Sequence, residues 1–498
     1  MSGPSEPKIP RPGLGLIKRF VLGAVLIALL SAAATSTAGL LEVKDVGDII
    51  RSGAKIEGID NVLDSVDGGG PQTILVLGSD KRYSDGKGTP ARSDTIMLIR
   101  LDPNKEATAV MSLPRDLRVT IPGSGTNKIN AAYAFGGAKL SVQTIKALLN
   151  IEITHVVEVQ FNGFQRAVNK LGGVYVDVDR RYFNDHGGPG GYATIDLKPG
   201  YQRLVGSDAL DYVRFRHLDS DDVRAARQQG FLRQAKDQFG LGKLFGSRKE
   251  LLRIFAAYTR TDIRSDTAIV RLLKLAFESS KHPIRTIHLE DSPSGEDLVA
   301  SPDAIAKARK EFLNAKASSG LPPGARKKAK STKKTKKKKT STSKGSQTLP
   351  QGVFNDRRAA EDYVASASTR LPFPLYYAPV RFGLAAGSYE KDGARVYDIF
   401  DRAHHKYRAY RVAVYTGYIG QYYGIQGMDW KSPPILDNPS GQYRMAGRTY
   451  DLYSDGGKLR IVAYRTDRAV YWVSNTLSLS LSNKQMLAIA RSLRWVGS

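Results

Sequence analysis

The 498-residue chain contains no cysteine. No disulfide can hold an exported domain together, and no thiolate can serve as nucleophile or metal ligand. Acids are scarce beside bases: 48 Asp and Glu against 75 Lys and Arg, a formal net charge of +27. Such a balance fits an anionic partner: nucleic acid, a membrane surface or a phosphate-bearing polymer. Much of the excess is local. Residues 326–344 hold 11 Lys or Arg and no acid, so the globular parts are only moderately basic. Several catalytic signatures are also missing. There is no GxSxG elbow, no HExxH, no GxGxxG and no P-loop with its Lys-Ser/Thr, so the glycine pairs read as helix caps and not as phosphate loops.

What is present suits two or three domains, with 41% hydrophobic residues for ordinary cores. Residues 1–19 are polar, with Lys8, Arg11, Lys18 and Arg19. The run Phe20 to Leu41 carries no charge and is just long enough to span a bilayer. Its basic flank orients the N-terminus to the cytoplasm and the rest outside. A cleavable signal peptide is the rival reading, with Ser36-Thr37-Ala38 as a small-residue cleavage site. Both readings export the main chain, which weakens any case for DNA or ATP as substrate.

The chain is organised around residues 72–116. Three apolar runs, Thr73 to Leu77, Thr95 to Leu101 and Ala107 to Leu113, have strand length and composition. Asp102-Pro103-Asn104-Lys105 makes a tight turn between the second and third. If the middle strand is antiparallel to both others, one sheet edge gathers Asp80, Arg82, Arg92, Asp94, Arg115 and Asp116. Two acids suit a hard divalent cation, and several arginines suit phosphate oxygens. A rim of solvated ion pairs is the plainer reading of the same residues.

Further on, residues 182–203 are Gly- and Tyr-rich and read as a long loop over that edge. Tyr212 to His217 reads as a strand with Arg214 and Arg216 on one face and Val213 and Phe215 in a core. A helix capped by Asp221 or Asp222 then carries Arg224 and Gln228 four apart. Arg227, Gln229 and Arg233 read as its solvated face. Arginines this close repel unless an anion sits among them, so Arg214, Arg216, Arg224 and Gln228 join the site candidates. Helices at Lys249 to Thr259, Thr267 to Ser279 and Pro302 to Leu313, with a strand near Ile284 to Leu289, form an outer layer. Residues 317–350 are a Lys-, Ser- and Thr-rich linker, either a solvated spacer or an attachment to anionic lipid or wall polymer. Residues 351–498 form a second, α+β unit with no catalytic constellation. Trp430, Tyr422 and Tyr423 there are core or rim aromatics, or a sugar-stacking surface.

The ordered motifs LGSDKR, RSDTIML, SLPRD, IPGSGTNKINAAYAFGG, LGGVYVDV and ALDYVRFRH, followed by RxxRQQ, run from Ile74 to Gln238. They resemble the LytR-CpsA-Psr family of cell-wall glycopolymer transferases. The resemblance implies an α/β fold with a mixed central sheet flanked by helices, behind a single-pass anchor. It implies transfer of a glycopolymer from a polyprenyl-diphosphate carrier to the muramic acid C6 hydroxyl of peptidoglycan, leaving a phosphodiester. It further implies that Asp80 and Asp94 hold Mg2+ (or Mn2+). Arg82, Arg92, Arg115, Arg214, Arg216, Arg224 and Gln228 are then the diphosphate-binding set, with Arg92 and Arg115 also catalytic. One departure is Asp222-Val223, where the family often has an aromatic and Gly. The resulting organisation is a cytoplasmic tail (1–19), a signal-anchor (20–41), a juxtamembrane segment (42–70), a catalytic domain (71–315), a linker (316–350) and a C-terminal domain (351–498). Two other readings stay open: a polyprenyl-diphosphate hydrolase using the same site, and a non-catalytic envelope-binding protein or transcriptional attenuator.

Overall fold

The computed structural model describes residues 48–49, 51–65, 70–79, 93–185, 194–215, 221–239, 248–280, 282–295, 297–316, 321–322, 325, 348–384, 387–391 and 393–497. The apolar run 20–41 and most of the basic linker lie outside these residues. Among the described residues no helix is long and apolar enough to cross a membrane.

A seven-stranded mixed sheet forms the first unit. Its strands are β1 (Ala54–Lys55), β2 (Gln72–Ser79), β3 (Ser93–Leu101), β4 (Thr108–Leu113), β7 (His155–Gln160), β12 (Thr259–Thr261) and β13 (Ile284–Ile287). Their spatial order is β1-β12-β7-β2-β3-β4-β13. Strand β3 is antiparallel to both β2 and β4, whereas β7 runs parallel to β2 and β13 parallel to β4. The two-residue β1 extends the sheet upstream of residue 71.

Alternation along these strands divides the sheet faces. Leu75, Leu77, Ile96, Leu98, Met111 and Leu113 enter one core with Val142 and Ile145 of α1 (Ala131–Leu149). Thr95 and Ser112 belong to the other face. Between β4 and α1 lies a hairpin, β5 (Arg118–Ile121) and β6 (Gly125–Lys128). Gly136 and Gly137 break α1 rather than cap it: Gly137 has φ of 61°, and Phe135 beside it is 56% exposed.

Next come α2 (Phe161–Lys170), β8 (Val174–Val178), β9 (Tyr182–Asn184), β10 (Ile195–Leu197), β11 (Gly200–Leu204), α3 (Gly206–Arg214) and α4 (Asp221–Gln238). Gly172 and Gly173 do end α2, the Gly173 N–H donating to the Val168 carbonyl at 2.9 Å. Of the expected long loop at 182–203, residues 186–193 lie outside the described residues, and the described ones are largely strand. β9 pairs with β10, and β11 pairs antiparallel with β8. Tyr182, Ile195, Leu197, Tyr201 and Leu204 are buried, so Tyr182 and Tyr201 serve a core and not a lid. Helices α5 (Arg248–Tyr258), α6 (Asp266–Ser280) and α7 (Pro302–Leu313) complete the unit. Ser301 caps α7 through the Ala304 N–H, ahead of Pro302 at the first turn.

The second unit has an eight-stranded antiparallel sheet, with helices α8 (Arg357–Ser368) and α9 (Asn483–Ser492). A Ser482/Gln485 capping box starts α9, whose Met486, Ile489 and Ala490 are buried. Trp430 stacks on Tyr407, with centroids 5.2 Å apart and an interplanar angle of 10°, and Tyr423 is fully buried. Tyr423 is therefore a core aromatic.

The two units share a core. Tyr175 and Tyr201 on the β8–β11 ribbon pack with Tyr397, Met428, Ile435 and Trp472. Several of the polar groups carried in with them are matched. Tyr175 donates to the Phe400 carbonyl at 2.7 Å, and Tyr397 donates to the Tyr201 carbonyl at 3.1 Å. Asp177 Oδ2 accepts from Arg411 at 3.1 Å and from Trp472 Nε1 at 3.3 Å. Arg402 donates to the Leu171 and Gly173 carbonyls at the end of α2.

Candidate active site

The strand ends meet as antiparallel pairing requires. Ser79 pairs with Ser93, and Leu113 with Ile96, so β2, β3 and β4 present their ends at one sheet edge. A bulge lies between Gly78 and Ser79. Here a glycine is needed for space. A Cβ on Gly78 would stand 2.9 Å from the Thr95 Cβ, so a larger residue would push apart the two strands that end at this edge. Asp80, Arg82, Arg92 and Arg216 lie outside the described residues. Asp94 is placed by its backbone, in β3 next to Ser93.

Arg115 follows Leu113 and Pro114 at the same edge. Its carbonyl accepts from the Asn130 N–H at 3.2 Å, which ties it to the start of α1. Its Nε stands 3.3 Å from Asp116 Oδ2, and the side chain is 14% exposed. Asp116 is shared: Lys128 Nζ lies 3.3 Å from its other oxygen. Lys128 and Arg118 both reach Asp297, at 3.7 and 3.5 Å. Asp116 is thus the anionic centre of an ion-pair network that fixes the β5–β6 hairpin. That engagement suits a structural carboxylate better than a free base.

The segment YVRFRH departs from expectation. Tyr212, Val213 and Arg214 are the last turn of α3, and Phe215 has left the helix. Arg214 therefore does not share a strand face with residue 216. It pairs with Asp211 one turn back, Nη2 to Oδ1 at 3.1 Å. The misreading has a cause: alternating Val, Phe and Arg fits a strand, but Ser207-Asp208 opening the segment and Ala209-Leu210 after it start a helix that runs into it. Burial raises the Asp211 carboxyl above its ordinary value, and Arg214 opposes that.

Helix α4 lies on the second face of the sheet. Gln228 Nε2 donates to Thr95 Oγ1 at 3.3 Å and to the Val213 carbonyl at 3.1 Å, joining helix, strand edge and the end of α3. Arg224 is 6% exposed. The structure so brings Arg115, Arg214, Arg224 and Gln228 onto the elements that meet at one edge.

Arg227, Gln229 and Arg233 are not the solvated face that their charge suggested. Arg227 is fully buried, donates to the Phe215 carbonyl at 2.7 Å, and its guanidinium lies 4.8 Å from the Tyr182 ring centre and 5.8 Å from those of Tyr212 and Phe215. Such a cage contributes roughly 0.5–2 kcal/mol per well-placed ring. Gln229 donates to Ser112 Oγ at 3.0 Å. The missed signal was Ala225, Ala226 and Gly230: three small residues let α4 approach the sheet so closely that its polar neighbours go in as well.

The LytR_cpsA_psr family model matches residues 43–314, more than half of the chain. The chain belongs to the LytR-CpsA-Psr family. It is 32% identical over 225 residues to the polyisoprenyl-teichoic acid–peptidoglycan teichoic acid transferase TagU of Oceanobacillus iheyensis, covering 44% of this chain and 66% of that relative. It is 37% identical over 161 residues to the transferase TagT of Bacillus subtilis, covering 32% of this chain and 50% of TagT. The regulatory protein MsrR of Staphylococcus aureus is 30% identical over 257 residues, 49% of this chain and 75% of MsrR. The chain thus spans two thirds or less of the two transferases. Among solved structures, B. subtilis TagV aligns at TM-score 0.41 and 28% identity, over 49% of this chain and 96% of TagV. TagT with bound octaprenyl pyrophosphate lipid aligns at TM-score 0.38 and 26% identity. Within this LytR-CpsA-Psr chain, the mixed sheet and its charged edge fall inside the matched residues, and the C-terminal unit outside them.

Proposed function

We propose that this protein transfers a glycopolymer from a polyprenyl-diphosphate carrier to peptidoglycan through a phosphodiester, on the outer side of the membrane. The observation that carries the reading is the activity named for TagU and TagT, two relatives of a chain whose family match, residues 43–314, contains the sheet edge. The uncharged run 20–41 behind Lys18 and Arg19 supports the outward orientation, with the N-terminus in the cytoplasm.

In the proposed reaction an acceptor hydroxyl oxygen attacks the sugar-linked phosphorus. The new P–O bond forms as the phosphoanhydride bond breaks, polyprenyl phosphate leaves, and the hydroxyl proton passes to solvent. Positioning and charge compensation are the protein's main tasks in such a step. Arg115, Arg214 and Arg224 suit non-bridging oxygens through forked donors, with Arg82, Arg92 and Arg216 as further members. Gln228 couples donor binding to Thr95 and the α3 end. Asp80 and Asp94 are the residues that would hold Mg2+ or Mn2+. Each is adjacent in sequence to one of the paired residues Ser79 and Ser93, and two carboxylates from neighbouring strand ends are a hard-oxygen donor set. A bound ion would neutralise charge on the departing phosphate.

The test uses the full chain in detergent with Mg2+, a short polyprenyl-diphosphate oligosaccharide and peptidoglycan fragments, read by mass spectrometry. The phosphodiester product is expected, and it should vanish with chelator, Asp94→Ala or Arg115→Ala while the fold persists. Full activity in both variants would remove the site assignment. Polyprenyl phosphate without coupled sugar would make the protein a hydrolase.

A further inference from the structure

Where α4, β13 and the second unit's strands Lys458–Arg465 and Val470–Ser474 meet, the seam between the units encloses a cavity of about 80 Å3. That volume admits several waters or one tetrahedral oxyanion, but no lipid or polymer chain. The wall carries Arg233 from α4, and Arg411 and Arg460 from the second unit. Asp177 pairs with Arg411, and Asp455 with Arg233. Asp179 also lines the cavity, its Oδ1 accepting from the Tyr182 hydroxyl at 2.5 Å. The Arg460 side chain makes no hydrogen bond or ion pair among the described residues, although Asp455 and Asp237 lie within electrostatic reach. His288 also lines the cavity.

The donors and acceptors left over point to one kind of guest. The Nε atoms of Arg233, Arg411 and Arg460 are buried without an acceptor among the described residues. Gln229 is 1% exposed, gives its Nε2 to Ser112, and has its Oε1 buried without a donor. Water could meet those atoms but would leave Arg460, with Asp455 and Asp237 acting on it only at a distance, without a direct ion pair. Hydrogen phosphate meets them and supplies that pair: its oxygens accept from the arginines, and its P–OH donates to Gln229. We propose that the seam cavity binds one small phosphate-class oxyanion, held by Arg233, Arg411, Arg460 and Gln229. The guest bridges α4 to the second unit, and α4 carries Arg224 and Gln228. Occupancy therefore stiffens the helix behind the sheet edge.

The test must separate this cavity from the arginines at the sheet edge. Radiolabelled phosphate is dialysed to equilibrium against the full chain in detergent, and against Arg115→Ala, Arg460→Gln and Gln229→Ala. One site per chain should survive in Arg115→Ala and weaken at least about tenfold in Arg460→Gln. Gln229→Ala should lower affinity for phosphate but not for sulfate, which has no P–OH equivalent at neutral pH; this arm holds even where Arg460→Gln fails to fold. Competition by glycerol 3-phosphate equal to that by phosphate assigns the site to phosphomonoester ends, and weaker competition assigns it to the free ion. Phosphate binding lost entirely in Arg115→Ala, or unchanged in both Arg460→Gln and Gln229→Ala, overturns the proposal.

Discussion

The two halves of α4 carry the same residue types toward different tasks. In the first half, Arg224 and Gln228 stand behind the sheet edge, with Gln228 bound to Thr95 and to the end of α3. In the second half, three long polar side chains are bound to protein. Arg233 reaches Thr286 and Asp455, Lys236 reaches the His282 carbonyl, and Gln238 exchanges two hydrogen bonds with the Tyr175 backbone. Gln228 and Gln229 are neighbours in sequence, yet one serves the edge and the other pins the helix to Ser112. On a helix this deeply seated, what faces a side chain decides its role, and residue type does not. The second unit supplies part of that seat, so it supports the edge from a distance.

The first half of α4 is most exposed to substitution at Arg224. Arg224→Lys keeps the charge and removes the fork, and should cut transfer by roughly a hundredfold while stability changes by less than about 1 kcal/mol. Turnover in the product assay, set beside urea unfolding, checks it. A loss of stability without loss of turnover would place Arg224 with the second half. The converse case is Asp455→Asn, in the second unit. It leaves Arg233, 14% exposed, without its counter-charge, and should destabilise by about 2 kcal/mol. Calorimetry should show the units unfolding less cooperatively, while turnover per folded molecule is kept.

Much of this architecture was legible. The three central strands, their shared edge and the α7 boundaries follow from apolar runs, turn residues and a Ser-Pro start. The errors fall where burial overrides local pattern. Tyr212 to Arg214 alternates like a strand but continues the helix started at Gly206. The described residues of 182–203 look like a loop because Tyr182 and Tyr201 are read without their partners. Tyr182 closes the cage around Arg227, and Tyr201 enters the core of the second unit. Arg227 itself looked solvated because a charge on a helix usually is. Nothing local announces three aromatic rings contributed by β9, α3 and Phe215.

Asp211, on α3 and paired with Arg214, should show the smallest effect. Burial raises its carboxyl above the ordinary value of 3.8, and Arg214 opposes the shift without cancelling it. The folded state therefore binds this proton more tightly than the unfolded chain does. The stabilisation from that proton is complete below 3.8 and is lost as pH rises through the folded-state value. Asp211→Asn cannot lose it. Relative to wild type, the variant should thus gain stability as pH is raised from below 3.8 toward neutrality. The gain should stay below about 1 kcal/mol, because the ion pair with Arg214 is partly exposed and gives some of it back. Urea unfolding of both proteins between pH 3.5 and 7 reads the difference. Parallel curves would mean that solvent or a bound anion reaches Asp211 freely. Arg214 would then be held toward the edge by something other than this carboxylate.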